Sequence, residues 1–247
     1  MASLMVRDEG WRLTSGVVRK RLAEPFGGVL PAGFELHAMD LLSPKGDGFF
    51  KGRDRDERSS LALDLLDIIT TRKHQVLLQV YDKSRLATTN PPPASAAFPW
   101  NDPWELGFAM TLTMFENFLR SKQTGSSSSG LIVIDHERSY LKFVRAHCAD
   151  RNAGKGWRQV AKVVDIGYSA ASHANPMIQV ADLVAYVSRR HAEVQAKYKE
   201  ALPPEAVAFF AECHRRVWPR VLYKDMSLKA LKTPVELGTY IKAVRAY

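Results

Sequence analysis

Cysteine is nearly absent. Cys148 and Cys213 are the only two among 247 residues, and their wide separation excludes a disulfide framework or a cysteine-rich metal site. Long apolar runs are missing too: none reaches the ~20 residues a membrane-spanning helix needs. The opening MASLMVRDEG sets Asp8 and Glu9 where an export signal would continue its apolar stretch, so none is read. The expected compartment is therefore a reducing cytoplasm. There is no internal repeat, and no break in composition forces a second domain.

What is present is ordinary in bulk. The hydrophobic share is 46% and the charged share 25%, which suits a soluble globular chain with a core to bury. The charge balance is less ordinary: 35 Lys and Arg stand against 26 Asp and Glu, a formal net charge of +9. An excess of this sign favours polyanionic partners, nucleic acid first. A merely basic soluble protein is the plain alternative.

Along the chain, ASLMV (2–6) reads as a short strand. Asp8 and Glu9 open a helix to about Ala23, with acids at the positive end of its dipole. After a Gly/Pro-rich bend, FELHA (34–38) alternates as an extended segment would, with Glu35 and His37 on one face. Residues 44–58 read as a charged, Gly-rich loop. Residues 60–72 have helical spacing, and 74–84 read as a buried strand ending at Asp82 and Lys83. The prolines of 90–103 preclude regular structure. A helix follows over 103–122, with Phe108, Leu112, Phe115 and Leu119 on one side. Past a Ser/Gly turn, LIVID (131–135) is a strand and HERSYLKFVRAHC a helix. KVVDIGY (162–168) is a further strand. Asn175 before Pro176 marks a helix start, and another helix spans about 203–217. The alternation of helix and strand from residue 59 onward predicts an α/β layer fold with some parallel strands.

The helix beginning at Pro176 poses a question. It is apolar on most faces, yet Gln179, Asp182, Tyr186, Arg189 and Arg190 fall on one stripe at 100° per residue. A carboxylate there needs water, a polar partner or a metal. A thin solvated edge would suffice; a carboxylate aimed into a cleft is the functional reading. Companion acids are Asp135, at the carboxyl end of LIVID where ligand sites of α/β sheets gather, then Glu137, Glu35, Asp40 and Asp82. His37 is a candidate proton carrier or a hydrogen-bonded core histidine. Lys83 is a candidate counter-charge or a solvated surface lysine. Scattered acids beside apolar segments suit a hard cation such as Mg²⁺, which takes one or two carboxylates plus water and substrate phosphates. Two such ions on shared carboxylates are a device for cutting phosphodiesters.

The stretches ELHAMDLL, VYDK, LIVIDHE and S-x6-QVADLVAY together resemble the domain of unknown function 3800 family. Ser172, Gln179, Ala181, Asp182 and Tyr186 match its most distinctive motif, and the segment around Glu35 and His37 is the next strongest match. The resemblance covers about residues 3–192. It implies a ribonuclease H-like fold, a mixed sheet flanked by helices, over residues 1–195. The helical, basic extension of residues 196–247 is expected to pack on the same domain. It also implies metal-dependent phosphodiester chemistry, with Mg²⁺ or Mn²⁺ on Glu35, Asp135 and Asp182. His37 would stand nearby as a catalytic group, and Glu137, Asp40 and Ser172 as accessories.

Lys83, Gln179, Arg189 and Arg190 are the candidate substrate contacts. In the basic tail, His214, Arg215, Arg216, Arg220, Lys224, Lys229 and Lys232 would track a nucleic-acid backbone, DNA or RNA. Trp218 and Tyr223 would stack on bases, unless this is simply a solvated helix face. The family's usual first strand, ending Asp-Glu-Ser-Gly, has no counterpart here. Three explanations stay open: a start site placed too late, a catalytically degenerate member that serves as a binding module, or compensation by another acid such as Asp40. A late start site is the expectation slightly preferred.

Overall fold

The computed structural model describes residues 1–80, 103–121, 128–135, 161–163, 168–198 and 202–222. The chain divides into two compact units. A framing unit comprises residues 2–78 and 171–224; an insert unit comprises Met1, 79–170 and 225–247. Among the described residues helix predominates, and the strands form two two-stranded sheets. The protein is thus mixed α/β. No described helix is long and apolar enough to cross a membrane.

In the framing unit, β1 (Ala2–Met5) runs antiparallel to β2 (Gln75–Leu78), with Ala2 opposite Leu78 and Met5 opposite Gln75. Val76, Leu77 and Leu78 are all buried, as a continuous apolar strand requires. Val221 adds a single parallel bridge to Val76. Helix α1 (Asp8–Ala23) starts with Asp8 and Glu9 and ends with Lys20 and Arg21, so its charges oppose its dipole at both ends. Thr14, Val18 and Leu22 form its buried stripe, the i, i+4, i+8 spacing of one helix face.

The segment 34–38 keeps its expected alternation but gains no strand partner. Phe34, Leu36 and Ala38 are buried while Glu35 and His37 are not. It passes directly into the short helix α2 (Ala38–Leu42). Helix α3 (Arg55–Thr71) begins earlier than its apolar spacing alone suggests. The reason is a cap: Asp54 Oδ1 accepts the amides of Asp56 at 2.8 Å and Glu57 at 3.0 Å.

The charged loop before α3 is organised rather than loose. It contains a 3-10 turn, Gly48–Phe50. Arg58, 3% exposed, sends its guanidinium to the carbonyls of Leu41, Ser43, Pro44 and Arg53. Gly46 adopts a positive φ of 68°, and a Cβ there would stand 2.1 Å from the Phe50 carbonyl oxygen. Only glycine fits that approach.

Helix α5 is Pro176–Gln195, and Asn175 caps it by accepting the Met177 amide at 3.1 Å. The Asn-Pro start is as expected. Helix α6 (Pro204–Val217) buries Phe210, Cys213 and Val217. It packs on α3 and α5, and α5 also meets β1 and α1. The core of this unit therefore lies among α1, α3, α5, α6 and the β1–β2 pair.

In the insert unit, helix α4 (Pro103–Arg120) packs Phe108, Leu112 and Leu119 in a core with Val163, and Phe115 packs against them. These are the residues its periodicity places on one side. Strands β3 (Val133–Asp135) and β4 (Tyr168–Ala170) pair in parallel, Val133 opposite Tyr168 and Asp135 opposite Ala170. Parallel pairing is the expected kind; the mates are only three residues each. Glu116 is fully buried and is compensated: its carboxylate accepts the amides of Ala161 and Lys162 and the Arg120 side chain. The helix expected after LIVID lies outside the described residues.

Candidate functional site

Helix α5 supplies the centre of the site. Met177, Val180, Leu183, Val184 and Val187 face the core. On the remaining face stand Gln179, which is buried, and Asp182, which is exposed. Both are engaged by the extended segment 34–38. The Leu36 amide donates to Gln179 Oε1 at 3.3 Å, and the Ala38 amide donates to Asp182 Oδ2 at 3.2 Å. Residues three apart on a helix thus meet residues two apart on an extended chain. Both spacings are about 5–7 Å, so the two amides pointing to one side fit the two acceptors.

The network continues. Gln179 Nε2 donates to the Ser172 carbonyl at 2.8 Å, so this buried amide is paired at both ends, as burial demands. The Ser172 hydroxyl donates to Glu35 Oε1. Glu35 Oε2 lies 3.7 Å from His37 Nε2. The outward face of 34–38 therefore presents a carboxylate and an imidazole side by side, and its inward-directed amides are held by α5. Ser172 belongs to the 3-10 turn Ser172–Ala174 that leads into α5, and Arg19 of α1 donates to the Ala174 carbonyl at 2.9 Å.

Five of the residues singled out in the sequence are thereby joined: Glu35, His37, Ser172, Gln179 and Asp182. The others are placed differently. Asp135 is the exposed last residue of β3 in the insert unit. Asp40 lies in α2, with Oδ2 2.9 Å from where a Cβ would stand on Gly48. Lys83, Glu137, Tyr223, Lys224, Lys229 and Lys232 lie outside the described residues.

The arginines expected to meet phosphate have partners within the chain. Arg189 and Arg190 both pair with Glu193, at 2.8 and 2.7 Å. Arg215 and Arg216 share Glu212, and Arg216 also reaches Asp67. Arg220 donates to the carbonyls of Lys73 and His74. The reason is helical spacing: Glu193 and Glu212 stand three or four residues from their arginines, where side chains on one helix meet. Trp218 packs on His214.

Among the described residues, no group of three His, Cys, Asp or Glu side chains is placed to hold a metal ion. Asp182 and Glu35 remain as carboxylates that each have one oxygen in a hydrogen bond within the network. Sequence reasoning passed over Arg58, whose setting in RDRDERSS reads as a solvated charge run, and His191; it took His214 for a nucleic-acid backbone contact of the basic tail, whereas the two histidines face each other. Only packing distinguishes these from surface residues. No family model matches the chain, and no match was found among curated proteins or solved structures.

Proposed function

We propose that this chain is a ribonuclease H-like, nuclease-type protein of the domain of unknown function 3800 kind, acting on nucleic-acid phosphodiesters with Mg²⁺ or Mn²⁺. One observation supports this reading above the others. The two segments that carry the resemblance, 137 to 144 residues apart, are hydrogen-bonded to each other through Glu35–Ser172, Leu36–Gln179 and Ala38–Asp182. A decorative surface stripe has no need of such joining.

In this reading Glu35 and Asp182, both in the framing unit, hold the ion. The cation, when bound, would polarise the phosphate and lower the pKa of a bound water. A hard cation that keeps much of its water shell needs only one or two carboxylates. Ser172 orients the Glu35 carboxylate. Gln179 fixes the backbone that carries Glu35 and His37. His37, exposed beside Glu35, is the group placed to accept or return a proton. The excess of positive charge draws a polyanionic substrate.

A second reading has its own observation. Asp182 already serves the fold by holding the first amide of α2, a role that a catalytically degenerate nucleic-acid- or partner-binding module would keep. One experiment separates the two. Wild type, Asp182→Asn and Glu35→Gln are assayed with Mn²⁺ on single- and double-stranded DNA and RNA, and binding is followed by fluorescence anisotropy. Both replacements keep an oxygen acceptor for the Ala38 amide or the Ser172 hydroxyl, so the fold is preserved while charge is removed. Metal-dependent cleavage by the wild type, reduced to background in both variants, is the expected result. Absence of cleavage on every substrate sinks the enzyme reading; if binding persists, the module reading replaces it.

A further inference from the structure

Two histidines meet face to face between α5 and α6. The rings of His191 and His214 lie 4.2 Å apart between centroids with 13° between their planes. His214 also packs on Trp218, at 5.0 Å and 32°. Neither histidine is fully exposed, and His214 Nε2 is buried with no hydrogen-bond partner among the described residues. The same helix pair is held nearby by Tyr186 against Phe210, at 6.3 Å, and by Arg190 over the Phe210 ring, at 5.6 Å.

Neutral imidazoles stack at this distance without penalty. Two imidazolium ions would face each other as like charges in a partly desolvated seam. No carboxylate stands ready to compensate them among the described residues. Of the charged groups on the packed elements, Glu193 of α5 is taken by Arg189 and Arg190. Glu212 of α6 is taken by Arg215 and Arg216, and Asp67 of α3 by Arg216. Arg220 binds backbone carbonyls. On the other elements against α5, Arg19 of α1 reaches the Ala174 carbonyl at the helix's opposite end, α2 carries Asp40, and β1 carries no charge.

We propose that the His191–His214 stack is an acid-released latch that holds α6 against α5, closed while both rings are neutral and opened by their protonation. Burial, with the neighbouring His191, pushes His214 down to about 4, and burial lowers His191 as well. The unfolded or opened histidine takes its proton near ~6.5. The open form therefore binds more protons than the closed form between these values, and the latch weakens as pH falls through that window. It is fully closed above ~6.5. On the α3 side, α6 keeps its Arg216–Asp67 pair and the bond from Thr70 Oγ1 to the Arg216 carbonyl at 2.9 Å. The seam that opens is the one toward α5, which uncovers Phe210 and the polar face of α5 around Tyr186.

Hydrogen exchange of the full chain, corrected for the intrinsic pH dependence of exchange, tests the latch. Peptides over 204–217 are expected to lose protection by on the order of tenfold or more between pH 7 and pH 5. Peptides over 8–23 should lose much less. In His214→Phe and His191→Phe, each of which keeps a flat ring but removes one titrating group and the like-charge pair, the pH dependence over 204–217 should fall well below that of the wild type. The proposal is overturned if wild-type α6 is equally protected at both pH values, if all helices lose protection together, or if the Phe variants respond as the wild type does. Should either variant not fold, proton NMR titration of His214 in the wild type decides the matter. A midpoint near the ordinary histidine value overturns the latch, and one well below it upholds the latch.

Discussion

Asp182 accepts the backbone amide of Ala38 through Oδ2 at 3.2 Å. That contact explains an aspartate in an otherwise apolar helix: it holds the first residue of α2 and anchors the extended segment that carries Glu35 and His37. The carboxylate is exposed on its other side, so it also remains open to a ligand.

Its replacement by alanine therefore removes a structural acceptor, and its replacement by asparagine does not. Asp182→Ala should lower stability by about 1 kcal/mol, the worth of one such bond at a partly wet site. Asp182→Asn should stay within about 0.5 kcal/mol of wild type, the usual range for a surface change. Urea unfolding of both variants checks the difference. Equal losses would show that charge, and not the bond, carries the effect.

Gln179 is a more severe test because it is 3% exposed and paired at both ends. Gln179→Leu fills similar space but leaves the Leu36 amide and the Ser172 carbonyl without partners. At about 1–3 kcal/mol for each buried orphan, the loss should exceed that of Asp182→Ala by at least twofold in denaturant midpoint experiments. The accompanying sign is local: proteolysis or hydrogen exchange at 34–38 should rise before the rest of the framing unit is affected.

Arg58 donates to four backbone carbonyls. Arg58→Lys keeps charge but cannot span that fan of acceptors, since an ammonium is a compact donor and a guanidinium a planar fork. Both Arg58→Lys and Arg58→Met are expected to destabilise by about 2 kcal/mol or more. Calorimetry of the two variants tests this; an Arg58→Lys midpoint equal to wild type would show that charge alone suffices.

Acid should destabilise the framing unit in two windows. His74 is buried and shares a 2.8 Å hydrogen bond with the Thr14 hydroxyl; burial first, then Arg72 and Arg220, lower its pKa. Its unfolded form binds more protons, so stability is fullest above the unfolded value of ~6.5 and falls as pH drops below it. Glu212 behaves as a paired carboxylate: hydrogen bonds from Arg215 and Arg216 bring it to about 2. Its stabilisation is present above the usual carboxylate range and fades as pH falls toward 2. Solvent screening keeps that second effect small. Thermal unfolding from pH 8 to pH 2 should decline first as pH falls below about 6.5, and again below about 4.5. A His74→Asn variant should flatten part of the first decline and leave the second.

Much of the local structure was legible. The acids at residues 8 and 9, the Asn-Pro pair at 175–176 and the one-sided spacing of Phe108, Leu112, Phe115 and Leu119 each mark a helix through local physics. The segment 34–38 shows the boundary of such reading. Its alternation correctly assigned which side chains are buried, but alternation cannot say what pairs with the backbone. The partner is a helix face over 140 residues away, not a strand. Arg58 shows the same limit from the other side, because a charge run near a glycine-rich loop reads as solvated until packing encloses it.

Glu35, His37, Ser172, Gln179 and Asp182 belong to a longer set of candidates, part of it marked only by the family resemblance; what the sequence alone determined is where most described helices begin and end and which faces are apolar. Those properties follow from periodicity and capping, which act within a few residues. Tertiary structure alone decided that these five share one hydrogen-bonded network, that Arg216 of α6 reaches Asp67 of α3, and that His191 faces His214. Such facts depend on which surfaces come within about 3 to 4 Å after folding, a distance that no spacing along the chain encodes.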